Sequence, residues 1–219
     1  ACFVVPRLSS WEDFKRNRRS PAVDWTTLEE RTQMAIFLPG DVSPQETRDC
    51  LHEEIAQAIG PLNDLYRLSD SVFNDDNVHT VLTGFDMLIL RAFYAPELRS
   101  GMTRGQVSTR LPGILARINP TGEGRRATFA TRTPGAWSAA IQTALGPTAT
   151  PNQRRKAANR ALQIATAMGW RDHRRAFAHY AQGRLLMASD PARAAQQFQR
   201  ADHYYAQASG TELHRAYVA

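Results

Sequence analysis

Apolar positions along the chain follow two rhythms. Short unbroken runs, Cys2-Phe3-Val4-Val5 and Gln33-Met34-Ala35-Ile36-Phe37-Leu38, predict β-strands halted by Pro6 and by Pro39-Gly40. After Ser43 the rhythm becomes helical. Leu51, Ile55, Ala58 and Ile59 recur at helical spacing and predict an inward-facing stripe. Ser43 suits an N-cap, Pro44 the first turn and Glu46 the far end of a capping box. Gly60 is expected to end this helix in a left-handed conformation, with Pro61 blocking continuation. Thr83 with Asp86, and Thr103 with Gln106, predict two further capped helices. The second runs to about Ile118, and Pro112 is expected to bend or break it.

Residues 119–135, rich in Gly, Pro and Thr, read as a linker or excursion, followed by a short helix over Ala136 to Leu145 and a closing turn over 146–151. Beyond it, helices are predicted over Asn152 to Met168, Asp172 to Met187 and Pro191 to Ala208, the last with Asp190 as N-cap. The stretch from Ser9 to Thr27 mixes Trp11, Phe14 and Trp25 with the basic run from Lys15 to Arg19. Basic residues among aromatics suit nucleic acid, but no recognised binding motif accompanies them. A loop or short helix with its aromatics packed inward is the expected form, and no nucleic-acid partner is expected.

A chain of 219 residues with 42% hydrophobic content suits one large domain or a domain plus a smaller module. No apolar run approaches the roughly 20 residues a spanning helix needs. The numbered chain opens without a basic, apolar leader, so either none existed or it has been removed. Charge is uneven. From residue 151 onward there are 11 Lys+Arg against 4 Asp+Glu, a net of +7, leaving 16 against 17 before it. Lysine occurs only at Lys15 and Lys156, so this basicity is arginine and reflects genome composition as easily as an acidic partner.

Two cysteines occur, Cys2 and Cys50. In an oxidising compartment they could bridge the first strand to the helix after Ser43; two unrelated thiols, one buried, is the other reading. A cysteine so near the start also suits lipid attachment, although Ala1 ahead of it counts against that.

Candidate chemistry concentrates in one helix. Glu53 and Gln57 are four apart on one face, Glu54 lies about 100° round from Glu53, and Asn63 follows the Gly60 turn. This spacing resembles the metzincin motif His-Glu-x-x-His-x-x-Gly-x-x-His. In that frame Glu53, Gln57 and Asn63 stand at the metal-ligand positions and Glu54 at the general base. Ser71-Val72-Phe73 stands where matrixin-like proteases have a methionine turn beneath the metal, with Phe73 replacing methionine. Leu82 to Tyr94 resembles the final matrixin helix, which has an acidic residue near its start.

These motifs, continued by Tyr94-Ala95-Pro96-Glu97-Leu98-Arg99-Ser100-Gly101-Met102, resemble a family of proteobacterial envelope proteins, several described as lipoproteins. That family has no established activity and looks like a degenerate branch of the zincins. The resemblance covers roughly residues 30 to 118. It implies an α+β, mainly helical, degenerate matrixin-like domain with short strands, and a periplasmic or outer-membrane-associated location. Membrane association is then expected only through a lipid anchor.

Zinc favours imidazole and thiolate, and the trio Glu53, Gln57 and Asn63 offers only oxygen, too few for calcium or magnesium. No metal and no cofactor are therefore expected. His52-Glu53 imitates the start of a His-Glu-x-x-His motif, but Ala56 stands where its second histidine belongs. Glu53, Glu54, Gln57 and Asn63 are instead expected to hydrogen-bond the loop from Ser69 to Asn77. Asp70, Asp75 and Asp76 in that loop could hold calcium, yet the glycine and terminal acid of the familiar loop are missing, and turn chemistry accounts for them more simply.

In the C-terminal helices, Ala194, Phe198 and Ala201 match the spacing of the second helix of a tetratricopeptide repeat, with Gly183 one residue off register. His173, His179, His203 and His214 lack metal-competent spacing and suit surface or packing roles, while Arg154, Arg155, Lys156, Arg160, Arg171, Arg174 and Arg175 suit a solvated face. The expected organisation is a zincin-like domain over 1–118, a linker with a short helix over 119–151 and a repeat-like helical module over 152–219. The expected function is a non-catalytic binding or structural protein of the bacterial envelope, its C-terminal helices docking a protein partner within a larger assembly. The alternative is a metal-dependent hydrolase with Glu54 as general base and Glu53, Gln57 and Asn63 as unusual ligands.

Overall fold

The computed structural model describes residues 2–62, 65–74, 76, 78–124 and 131–219. It is α+β and mainly helical. Strands β1 (Phe3–Pro6) and β2 (Met34–Phe37) form one antiparallel pair, with Phe3 opposite Phe37 and Pro6 opposite Met34. Helices follow as α1 (Trp11–Asn17), α2 (Pro44–Ile59), α3 (Gly84–Phe93), α4 (Arg104–Ile118), α5 (Gly135–Leu145), α6 (Pro151–Ala167), α7 (His173–Leu186), α8 (Pro191–Tyr205) and α9 (Glu212–Val218). No helix among the described residues is long and apolar enough to cross a membrane.

Two compact units emerge. The first draws on 1–64, 71–73 and 80–127, the second on 65–70, 74–79 and 128–219, so the chain between α2 and α3 contributes to both.

In the first unit, Phe3 and Phe37 of the strand pair meet Trp11 and Phe14 of α1, with ring centroids 5.1 to 5.4 Å apart. The basic run near Lys15 thus includes a helix whose aromatics turn toward the sheet. α2 also packs on both strands. Its buried residues are Glu54, Ala56 and Ala58, while Ile55 and Ile59 are 47% and 43% exposed. The expected stripe therefore holds at Ala58 and is corrected at the isoleucines: small residues, which allow close approach, face inward, and Ile55 and Ile59 face out. α3 and α4 pack together over Ala92, Ala95 and Ile114. Pro112 lies inside α4, which continues through it.

The second unit is a run of helical hairpins. α5, α6 and α7 enclose Trp137, Ile141, Ala161, Ala165, Trp170 and Phe177, and Tyr66 packs against the same core. α7 pairs with α8, and Ala176, Ala201, Tyr205 and Val218 close the core of the α7–α8–α9 part. Gly183 permits this pairing, because a Cβ there would lie 2.5 Å from the Phe198 ring. Local capping boxes start α2, α3, α4 and α6, through Ser43–Glu46, Thr83–Asp86, Thr103–Gln106 and Thr150–Gln153. Asp190 accepts from the Arg193 amide and caps α8.

Candidate functional site

α2 is fixed at its start by the reciprocal Ser43–Glu46 box. Hydrogen bonds from the Ser43 amide and hydroxyl hold the Glu46 carboxyl below its ordinary range. One turn on, a disulfide joins Cys50 to Cys2, with the Cα atoms 5.9 Å apart, so α2 is covalently tied beside β1. Disulfides of this kind form and persist in oxidising, extracytoplasmic compartments.

The middle of α2 carries the candidate residues. Glu54 is 5% exposed, Glu53 and Gln57 are half-buried on a neighbouring face, and His52 is exposed. Asn63, the third candidate ligand, lies outside the described residues. Among the described residues no group of three His, Cys, Asp or Glu side chains is arranged to hold a metal ion.

The end of α2 rests on groups that the sequence pattern does not reveal. The Arg31 guanidinium donates to the carbonyls of Gln57, Ala58 and Gly60, at 3.3, 3.1 and 2.5 Å. It thereby satisfies helix-terminal acceptors and places a cation at the negative end of the helix dipole. Burial lowers the Arg31 pKa somewhat, and its planar face lies over the Trp25 and Phe93 rings. Tyr94 donates its hydroxyl to the carbonyl of Ile59 at 2.5 Å. In the sequence, Arg31 is a single arginine 26 to 29 positions from the carbonyls it caps, and no local spacing links them.

Gly60 itself is not left-handed, as expected from its place after the helix, but extended, at φ −130° and ψ −153°. Its requirement for glycine is one of space. A Cβ would sit 2.5 Å from Leu90 Cδ2, 2.8 Å from the Ala56 carbonyl oxygen and 3.4 Å from the Phe73 ring.

Phe73 therefore lies against the turn that ends α2, fully buried within the segment Ser71-Val72-Phe73. Asp86, completely buried at the start of α3, organises this segment. Its carboxylate accepts from the Ser71 hydroxyl at 2.5 Å and from the amides of Val72 and Thr83 at 2.9 Å each. Ser71 in turn accepts from the Phe73 amide at 3.0 Å. Every carboxylate oxygen is thus occupied by a donor from the chain it holds, which makes Asp86 a structural clamp.

The second unit contains a separate buried polar network. Asp76 accepts from Asn74 Nδ2 and His214 Nε2 at 2.8 Å each and from the Val78 amide at 3.1 Å. His79 meets Asp70 at 3.3 Å and packs beside the His214 ring. His173 Nε2 bonds the Tyr66 carbonyl at 2.5 Å, and since a carbonyl only accepts, Nε2 carries the proton. Burial, with Asp76 nearby, pushes the Tyr205 hydroxyl pKa well above its ordinary value. Asp76 is thereby engaged by protein donors, and Asp75, the third acid of the calcium reading, lies outside the described residues. Of the four histidines on the C-terminal helices, His173, His179 and His214 are buried and His203 is exposed.

The basic face is also partly corrected. Arg174 is 1% exposed, paired with Asp172 at 2.6 Å, bonded to the Thr131 carbonyl at 2.6 Å and stacked 3.8 Å over Trp170. Arg155, Lys156, Arg160 and Arg171 remain exposed.

Residues 1–113 match the family described as "Protein of unknown function (DUF2927)". No curated protein and no solved structure matches the chain.

Proposed function

The chain belongs to the DUF2927 family through its residues 1–113, and on that premise we propose that it is a non-catalytic binding protein of the bacterial cell envelope. In this reading the first unit is a degenerate zincin-like scaffold, and the C-terminal helices dock a protein partner. The observation that carries the docking role is the α7–α8 hairpin. Phe198 seats on Gly183, and Ala194 and Ala201 are buried at repeat-like spacing, leaving an arginine-rich outer face on α6 and α8.

The scaffold reading draws support from the order of parts: a helix bearing Glu53, Glu54 and Gln57, a glycine turn, a buried Phe73 against that turn, and Asp86 opening the next helix. Oxygen donors in place of three nitrogen ligands disfavour zinc. The Cys2–Cys50 disulfide agrees with an envelope location, outside the reducing cytosol. The competing reading, a hydrolase using Glu54 as general base, draws on the burial of that carboxylate within α2.

The test is cross-linking and co-purification from the native host with the full chain as bait. Wild type and Glu54→Gln are expected to capture the same partner, and Arg160→Glu with Arg200→Glu to lose it. Capture that survives the charge reversal removes the helical face as the docking surface. Loss of the partner in Glu54→Gln alone would move the function back to α2.

A further inference from the structure

We propose that the second unit holds a binding site for a small organic anion, a phosphate or carboxylate on an apolar body, in the cavity between the start of α6, the end of α7 and α9. This cavity is about 480 Å³ in volume, within the range of sites that enclose small molecules. Its polar wall consists of Arg154, Arg155, Arg184, Tyr180, Tyr217 and Asp76. Three guanidinium groups therefore face it against one carboxylate.

One carboxylate leaves the three guanidiniums in excess, and it pairs with none of them. Both Asp76 oxygens are taken, Oδ1 by the Val78 amide and Oδ2 by Asn74 and His214. Among the described residues, Arg154, Arg155 and Arg184 form no ion pair with any acid. Arg154 is held in place instead. Its Nε donates to the Ala144 carbonyl at 2.8 Å and its Nη2 to the Leu145 carbonyl at 3.4 Å, so the end of α5 orients it. Arg184 donates to the Tyr180 hydroxyl at 2.8 Å and lies over that ring. Arg155 makes no hydrogen bond to any described residue and is exposed, an uncommitted cation at the rim.

Guanidinium groups match the paired oxygens of carboxylate and phosphate. The first turn of α6, which begins at Pro151 on the same wall, adds the positive end of a helix dipole. The remaining wall is apolar: Phe177 and Leu185 with Leu145 and Pro151. An inorganic ion would use only the cationic wall, whereas an anion with an aromatic or aliphatic body uses both. The site requires nothing of the protein partner proposed for the outer helical face. Arg160 and Arg200, which carry that reading, lie outside the cavity.

Calorimetric titration of the full chain with phenyl phosphate, at constant ionic strength, tests the proposal. Saturable binding at one site per chain is expected, weakened about ten-fold or more in Arg155→Gln with Arg184→Gln, since two charge-assisted contacts are lost. Arg160→Gln with Arg200→Gln removes the same charge elsewhere and should leave affinity within about two-fold. Inorganic phosphate should bind more weakly than phenyl phosphate. No saturable binding, equal weakening by both pairs of substitutions, or equal affinity for inorganic phosphate would overturn the site as described. Displacement of phenyl phosphate by phosphatidylglycerol vesicles would overturn its assignment to a soluble ligand. Binding of a polyglutamate peptide without binding of phenyl phosphate would overturn it in favour of an acidic protein segment.

Discussion

Burial holds the imidazoles of His173 and His179 below their ordinary pKa, so the folded chain keeps them neutral to lower pH than the unfolded chain does. As pH falls through about 6.5, the unfolded state takes up protons that the folded state refuses, and stability declines. At higher pH both states are neutral and this dependence vanishes. Urea unfolding midpoints should accordingly drop between pH 7.5 and pH 5.5, and His173→Gln should flatten the drop, since glutamine can still donate to the Tyr66 carbonyl. An unchanged slope in that variant would mean that other groups carry the pH dependence. Individual residues were unevenly legible. The Thr83–Asp86 pair was readable because capping is local, three residues apart. That Asp86 also holds Ser71 and Val72 was not, because its partners lie 15 and 14 residues back across a turn. Gly60 was readable as a special position, but the reason given by its place after a helix was conformational and the actual reason is the proximity of Leu90 and the Ala56 carbonyl.

Among the elements, the disulfide between Cys2, directly before β1, and the middle of α2 closes a chain separation of 48 residues. In the chain-entropy account a loop of that size contributes about 4 kcal/mol by constraining the unfolded state. Cys2→Ala with Cys50→Ala should therefore lower unfolding free energy by up to about that amount, measured by urea denaturation under oxidising conditions. Adding reductant should destabilise wild type and leave the double variant unchanged; equal sensitivity of both would dissociate the effect from this bridge. The starts of α2, α3, α4, α6 and α8 were legible at the element scale because each carries its own side-chain cap. The inward face of α2 was not. Periodicity marks Leu51, Ile55, Ala58 and Ile59 as one stripe, of which only Ala58 is buried; close approach to the sheet selects Ala58 with Ala56 and turns the isoleucines out. α9 was missed because no side chain caps its start, although His214 and Val218 recur four apart, the spacing of an inward face.

At the scale of the whole molecule, family membership rests on residues 1–113, yet part of that stretch folds with the C-terminal helices. Segments 65–70 and 74–79 belong to the second unit, where Ser69 meets Ser209 across 140 positions and Asp76 meets His214 across 138. No local pattern announces pairs so distant, so the polar loop read as turn or calcium chemistry when its acid is answered by a histidine near the far end of the chain. The helix that carries Glu53, Glu54 and Gln57 was legible for the opposite reason, its Ser43–Glu46 cap and its end at Gly60 being local. The central claim is that the frame of spacings around Glu53 persists as architecture without its metal. It is tested most directly by elemental analysis of the full chain purified without chelators, as wild type and as Glu53→Ala. The account predicts zinc well below one equivalent in both. One zinc per chain in wild type, lost in Glu53→Ala, would contradict it.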